Sequence, residues 1–116
     1  MNKARRAALA KVSIRISQLI ESVTDYDCFT RFGKEQIETI RTDLENLKDE
    51  EQDAFDNLPE GLQENKQDDL DNCITALETA DEILGDAVEL SEEDFVLEEF
   101  LSGLEQAEEE VGNAQC

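Results

Sequence analysis

Apolar residues recur at helical spacing in four stretches of the chain. Leu9, Val12, Ile16, Leu19 and Val23 follow at intervals of 3, 4, 3 and 4, which predicts an amphipathic helix over residues 9 to 23. The segment from Thr24 to Gly33 breaks this phase. Its Asp25-Tyr-Asp27 is turn-like, its Gly33 suits a helix end, and Tyr26, Phe29 and Phe32 read as connector aromatics that pack back on the helices. From Lys34 the phase returns through Ile37, Ile40, Leu44, Leu47, Ala54 and Leu58, with Glu51 at the position where an apolar residue is missing. Leu58-Pro59-Glu60-Gly61 then stops the helix and permits reversal. Leu70, Cys73, Leu77, Ala80, Leu84 and Ala87 continue the pattern, with Ile74 and Val88 widening the stripe.

The last unit begins at Ser91-Glu-Glu-Asp94, where Ser91 reads as a helix cap and the acids lie at the positive end of the helix dipole. Leu97, Phe100, Leu104, Ala107 and Val111 carry the phase to Gly112, leaving Asn113 to Cys116 as a fraying tail. The predicted fold class is therefore all-α. An antiparallel helical hairpin (34–90) is flanked by a basic amphipathic helix with its aromatic connector (1–33) and by an acidic C-terminal helix and tail (91–116). The apolar stripes are narrow, so the hairpin needs more partners, as a small bundle or as an oligomeric coiled coil.

Composition supports helices. Of 116 residues 39% are apolar but only 5% aromatic, so the core is built from Leu, Ile, Val and Ala. The absence of histidine removes Ser-His-Asp and Cys-His catalysis, imidazole metal ligands and the Glu-x-x-His pairs of bundle di-metal sites. The five glycines are isolated and make no phosphate-binding loop. Carboxylates alone could hold calcium, yet neither Asp25-Tyr-Asp27 nor Asp68-Asp-Leu-Asp71-Asn72 is followed by the glycine of an EF-hand loop. No enzyme, metal or cofactor is implied. Cys28, Cys73 and Cys116 are too few and too far apart for a disulfide framework or a metal motif; Cys73 falls on the seam as a small core residue, and Cys116 is a terminal thiol open to cross-linking. No apolar run spans a membrane and no signal-peptide core follows Lys3 to Arg6, so the expected location is cytoplasmic.

Charge changes the picture most. The net charge is −21, and residues 67 to 116 hold 17 of the 31 acids with no Lys or Arg, whereas residues 1 to 20 hold five of the ten bases and no acid. Direct binding to nucleic acid or to an anionic membrane is opposed by this balance. Glu78 with Glu82, Glu82 with Asp86, and Glu89 with Glu93 are like-charge pairs at i, i+4, which an ordinary solvated helix relieves with Lys. The excess reads either as a solubilising face or as an electrostatic footprint for a basic protein. Glu92, Glu93, Asp94, Glu98 and Glu99, with Phe95 and Phe100 read either as apolar anchors or as core residues, Phe100 the more so because it keeps the helical phase, form the candidate partner-binding site; Tyr26, Phe29 and Phe32 are the fallback.

Glu50-Glu-Gln-Asp-Ala-Phe-Asp-Asn-Leu-Pro-Glu-Gly-Leu-Gln63, followed by an acidic amphipathic helix, resembles a pattern in small acidic helical-hairpin proteins of phages and bacteria. The resemblance covers the turn and implies no activity. Within it Phe55 and Leu58 are expected beneath the bend, with Asp56 and Asn57 offering side-chain acceptors to it. Two functions follow from the whole reading. One is an acidic inhibitor that imitates DNA before a DNA- or RNA-binding host protein, such as a defence protein. The other is a structural homo-oligomer in which basic residues 3 to 15 meet the acidic half of another copy.

Overall fold

The computed structural model describes residues 2 to 114. The chain forms α1 (Lys3–Ser22), the single-turn α2 (Tyr26–Cys28), a π-helical turn (Phe29–Gly33), α3 (Lys34–Asp56), α4 (Glu60–Val88) and α5 (Leu97–Asn113). No strand occurs among the described residues. The four long helices run up, down, up and down, and each packs on two neighbours in the ring α1, α3, α4, α5. The all-α expectation holds in its bundle form: α1 and α5 cover the narrow stripe of the α3/α4 hairpin. Residues from all three sequence segments share one core.

Most seam positions lie where periodicity put them, whereas Ala54, Leu58 and Leu97 are only half-buried and Leu58 lies beyond the end of α3. Leu9, Val12, Ile16 and Leu19 of α1, Ile37, Ile40, Leu44 and Leu47 of α3, Leu70, Cys73, Leu77, Ala80, Leu84 and Ala87 of α4, and Phe100, Leu104, Ala107 and Val111 of α5 are all buried. Val23 is buried too, although it lies just past the end of α1 in extended conformation. Glu51 occupies the seam gap and is itself buried, where Arg5 of α1 donates to it at 2.5 Å.

Several boundaries differ from the expected ones, each for a local reason. α1 starts six residues earlier than its apolar stripe because Asn2 caps it, accepting the Arg5 N–H at 2.8 Å. The connector is mostly helical: Asp25 caps α2 by accepting the Cys28 N–H at 2.7 Å, and the π turn runs directly into α3. Gly33 sits inside that run and ends no helix. A Cβ there would stand 3.3 Å from a Val23 methyl, so glycine lets the end of α1 approach α3 closely. The extra residue of the π turn buries Phe29 while leaving Phe32 on the surface, 44% exposed, so Phe32 does not pack back as expected.

At the opposite end, Pro59 occupies the N-cap of α4, and its carbonyl accepts from Leu62 and Gln63. Gly61 belongs to α4 and not to the bend. The bend is not braced by Asp56 and Asn57 side chains; Gln63 Nε2 donates to the carbonyls of Phe55 and Asp56 instead, and the Asp56 carboxylate accepts from Gln52. Beyond Gly112 the chain stays ordered, since α5 reaches Asn113 and Ala114 is buried, its carbonyl accepting the Cys73 thiol at 3.0 Å. The rest of the expected tail, Gln115 and Cys116, lies outside the described residues. No described helix is long and apolar enough to cross a membrane.

Candidate functional site

At the end of the bundle where α1 stops and α5 begins, four aromatic rings meet. Phe29 lies 4.9 Å from Phe100, 5.2 Å from Phe95 and 5.9 Å from Tyr26, and Phe95 closes the set at 5.3 Å from both Tyr26 and Phe100. Lys34 Nζ stands 5.4 Å over the Phe29 ring. Offset and edge contacts of this kind add stabilisation beyond area burial. Phe95 is thus half-buried within the protein. Instead of standing free as a partner anchor, it ties the segment between α4 and α5 to the core.

That segment corrects one sequence expectation. Ser91 does cap, but what it caps is a turn: the backbone carbonyl of Ser91 accepts from Asp94 and Phe95, and Ser91 Oγ donates to the Asp94 carboxylate at 3.0 Å. Phe95 must then reach the aromatic cluster, and Val96 is extended, with φ −121° and ψ 114°, so α5 starts only at Leu97. Glu92, Glu93 and Asp94 therefore project from the turn, whereas Glu98 and Glu99 stand in the first turn of α5, which has no side-chain cap. All five carboxylates are exposed, and no ion pair between described residues engages them. Two of them favour the α5 dipole, whose leading N–H groups point toward them.

Four basic side chains pair with carboxylates across helices. Arg5 pairs with Glu51 and Arg15 with Asp43, joining α1 to α3. Arg41 donates to Asp81 at 2.8 Å, and Lys48 reaches Glu78 at 3.7 Å, joining α3 to α4. Arg31 with Asp27 and Arg41 with Glu38 are local pairs. The hydrogen bond from Arg41 to Asp81, with the charges of Asp81, Glu38 and Glu89, raises the Arg41 pKa against a smaller opposing effect of burial. A Cβ on Gly85 would stand 3.1 Å from that guanidinium, so glycine gives the side chain its seat across α4. Glu78 is therefore relieved by Lys48, contrary to the sequence reading. Glu89 and Glu93 do not share a helix, because Glu89 caps the end of α4. Glu82 and Asp86 remain one helical turn apart with no described cation beside them.

No described ion pair ties α5 to another helix; Ser13 and Ser17 of α1 donate to Glu108 at 3.4 and 2.8 Å instead. Between α4 and α5 an open groove of about 330 Å³ runs under the Ser91 turn. It is lined by Ile83, Ala87, Leu90, Val96, Phe100 and Gly103 together with Asp86, Asp94, Glu99 and Gln106. The sequence reading placed Asp94 and Glu99 in the site but missed Asp86 and the apolar lining of the groove. Val96, 47% exposed, is one of the few large apolar side chains left in solvent. The available signal was Ile83, off the α4 seam, and Gly103 in the middle of a helix.

At the other end, α3 and α4 project past α1 and α5, and a cleft of about 210 Å³ opens among Phe55, Leu58, Leu70 and the Arg5–Glu51 pair. The segment from Glu50 to Gln63 forms this projecting tip. Among the described residues no group of three or more His, Cys, Asp or Glu side chains is arranged to hold a metal ion. Cys28 carries a free thiol. Comparison of the chain with protein families, with curated proteins and with solved structures finds no match.

Proposed function

We propose that this is a non-enzymatic acidic binding protein that occupies the nucleic-acid-binding surface of a basic partner by imitating DNA. The observation that carries the reading is the set of exposed carboxylates on the Ser91 turn and α5, which no described ion pair engages, presented on an elongated body. The molecule measures 52 × 22 × 17 Å and carries a net charge of −21. Duplex DNA of that length carries about 30 phosphate charges, at one per roughly 1.7 Å. The protein thus reaches about two-thirds of duplex charge on an elongated body. Arg5, Arg15, Arg41 and Lys48 pair with carboxylates across helices, and no described ion pair engages the carboxylates of the Ser91 turn or of the start of α5.

A phage-encoded inhibitor acting in the host cytoplasm on a nucleic-acid-handling or defence protein is the form of this function that we propose. Salt-dependent steering between opposite fields gives such an inhibitor its rate of capture. The competing assignment, a structural homo-oligomer, has less to draw on. Its seams are already covered within one chain, and Arg5 and Arg15 already have carboxylate partners.

The test begins with capture of partners from host lysate and their identification by mass spectrometry, followed by displacement of a labelled DNA duplex from the captured protein. Displacement that weakens steeply with salt and is lost on Glu98→Gln/Glu99→Gln supports the reading. A partner that holds duplex and protein together refutes mimicry. Light scattering across a salt series that returns a large, salt-insensitive assembly favours the homo-oligomer.

A further inference from the structure

The groove between α4 and α5 has a property that imitation of phosphate does not require. A surface needing only charge has no use for an apolar lining, yet Ile83, Val96, Phe100 and Gly103 line this channel together with Asp86, Asp94 and Glu99. We propose that this groove receives the apolar face of a cationic amphipathic helix of the partner. The inference rests on the binding reading above and gives the partner element its chemistry. Apolar side chains at i, i+3, i+4 and i+7 lie along one stripe of a helix, with Lys or Arg flanking them. Seated in the groove, that stripe meets the apolar lining while its flanking cations meet carboxylates on α4, the turn and α5.

Charge complementarity selects this occupant over others. A second copy would bring net −21 against the same carboxylates, and a neutral helix would leave exposed carboxylates facing apolar surface. The groove is also held in shape before binding. The Ser91 turn fixes Asp94, and the Phe95 ring, 5.2 Å from Phe29, holds the covering segment against the core. A preformed groove avoids the ordering cost that a flexible loop incurs on association.

Gly103 provides the decisive substitution. A Cβ built there meets only an Ile83 methyl, at 3.9 Å, so a larger side chain enters the groove and not the bundle core. The probe is a fluorescein-labelled peptide of leucine and lysine, about 18 residues long, with leucine at helical spacing. Its control is a scrambled peptide of identical composition, and binding to the full chain is read by fluorescence anisotropy. The ordered peptide should bind about tenfold or more tightly than the scrambled one, and the gap should persist near 0.5 M salt, where the Debye length is only a few ångströms. Gly103→Leu, and independently Val96→Ser at an exposed position, should shrink the gap while leaving the scrambled peptide's affinity unchanged. Glu98→Gln/Glu99→Gln should weaken both peptides alike.

Equal affinity for both peptides, or a gap untouched by Gly103→Leu and Val96→Ser when circular dichroism shows both variants folded, overturns the groove assignment and leaves the charge reading standing. Failure of both peptides to bind at low salt overturns the two together. A lower mass of Gly103→Leu in light scattering would show a second copy in the groove and overturn the assignment to a foreign helix.

Discussion

Replacing Arg5 by methionine and Glu51 by leucine, singly and together, tests how the bundle handles the one seam position that is not apolar. The Glu51 side chain is 8% exposed and that of Arg5 17%, at the end of the bundle beside the cleft under the hairpin bend. Removing one member of a fully enclosed pair costs roughly 3 to 5 kcal/mol, because the other charge is left desolvated. Arg5 keeps part of its side chain in water, so Glu51→Leu, which takes away the carboxylate facing Arg5, should cost about 2 to 3 kcal/mol and Arg5→Met no more than that. A domain of this length has about 6 to 17 kcal/mol of stability in total, so each single variant should remain folded, with Glu51→Leu melting about 8 to 15 °C lower. The double variant completes an apolar seam beside Leu47, Ala54 and Leu70, and should return to within about 1 kcal/mol of the parent. Urea titrations followed by circular dichroism at one salt concentration supply the four free energies of the cycle. Glu51→Leu within about 0.5 kcal/mol of the parent would make the pair equivalent to a surface contact, and additive losses in the double variant would refute coupling across α1 and α3.

Leu77→Asp places a charge where the parent side chain is 1% exposed, so the helical circular dichroism signal should collapse at 25 °C; an unchanged melt would mean that the α4 seam is misassigned. Raising neutral salt from about 0.02 to 0.5 M should raise the melting temperature by several degrees, because it screens repulsion among the carboxylates of α4 and α5; a fall in melting temperature would show that the described ion pairs outweigh that repulsion. Phe95→Ala should cost about 2 to 3 kcal/mol, below the roughly 3 to 5 of a fully buried Phe, and should speed amide exchange of Phe95 and Phe100, which donate to the Ser91 and Val96 carbonyls. Exchange unchanged at these amides would separate the segment's order from the aromatic cluster.

The core was legible because burial on a helix leaves a period near 3.6, and all four seams keep it from Leu9 to Val111. Ends were less legible because the same residue types cap different structures. Asn2 and Asp25 are N-caps that stand outside any apolar stripe. Ser91 has the chemistry of an N-cap, yet the need to deliver Phe95 to Phe29 and Phe100 keeps the chain extended through Val96. That need is tertiary, and no local pattern around residue 91 contains it. The π turn is similarly hidden, since one extra residue between Phe29 and Lys34 matters only once both flanking helices are docked. Of the candidate site, the acids were plain and their surroundings were not: Ile83 and Gly103 become a groove only when α4 and α5 pack.

Cation placement also bears on the two meanings that the acidic composition allowed, and on the binding function proposed above. If the carboxylates served solubility alone, the bases could be scattered among them at no cost to that role. Instead, cross-helix pairs stitch α1 to α3 and α3 to α4, while α5 docks on α1 through serine hydroxyls that donate to Glu108. The bundle therefore holds α5, which has six acids and no base, by apolar seams and neutral donors, and bears like-charge repulsion on the outer face that cations at i, i+4 would have relieved by a few tenths of a kcal/mol per pair. That cost falls on the same side as the open apolar groove and the exposed Val96. A surface that is electrostatically strained and apolar at its centre is relieved in both respects by one kind of contact, a cationic element with an apolar stripe. The salt series and the two-peptide comparison address those components separately, since repulsion is screened within a Debye length and burial of the stripe is not.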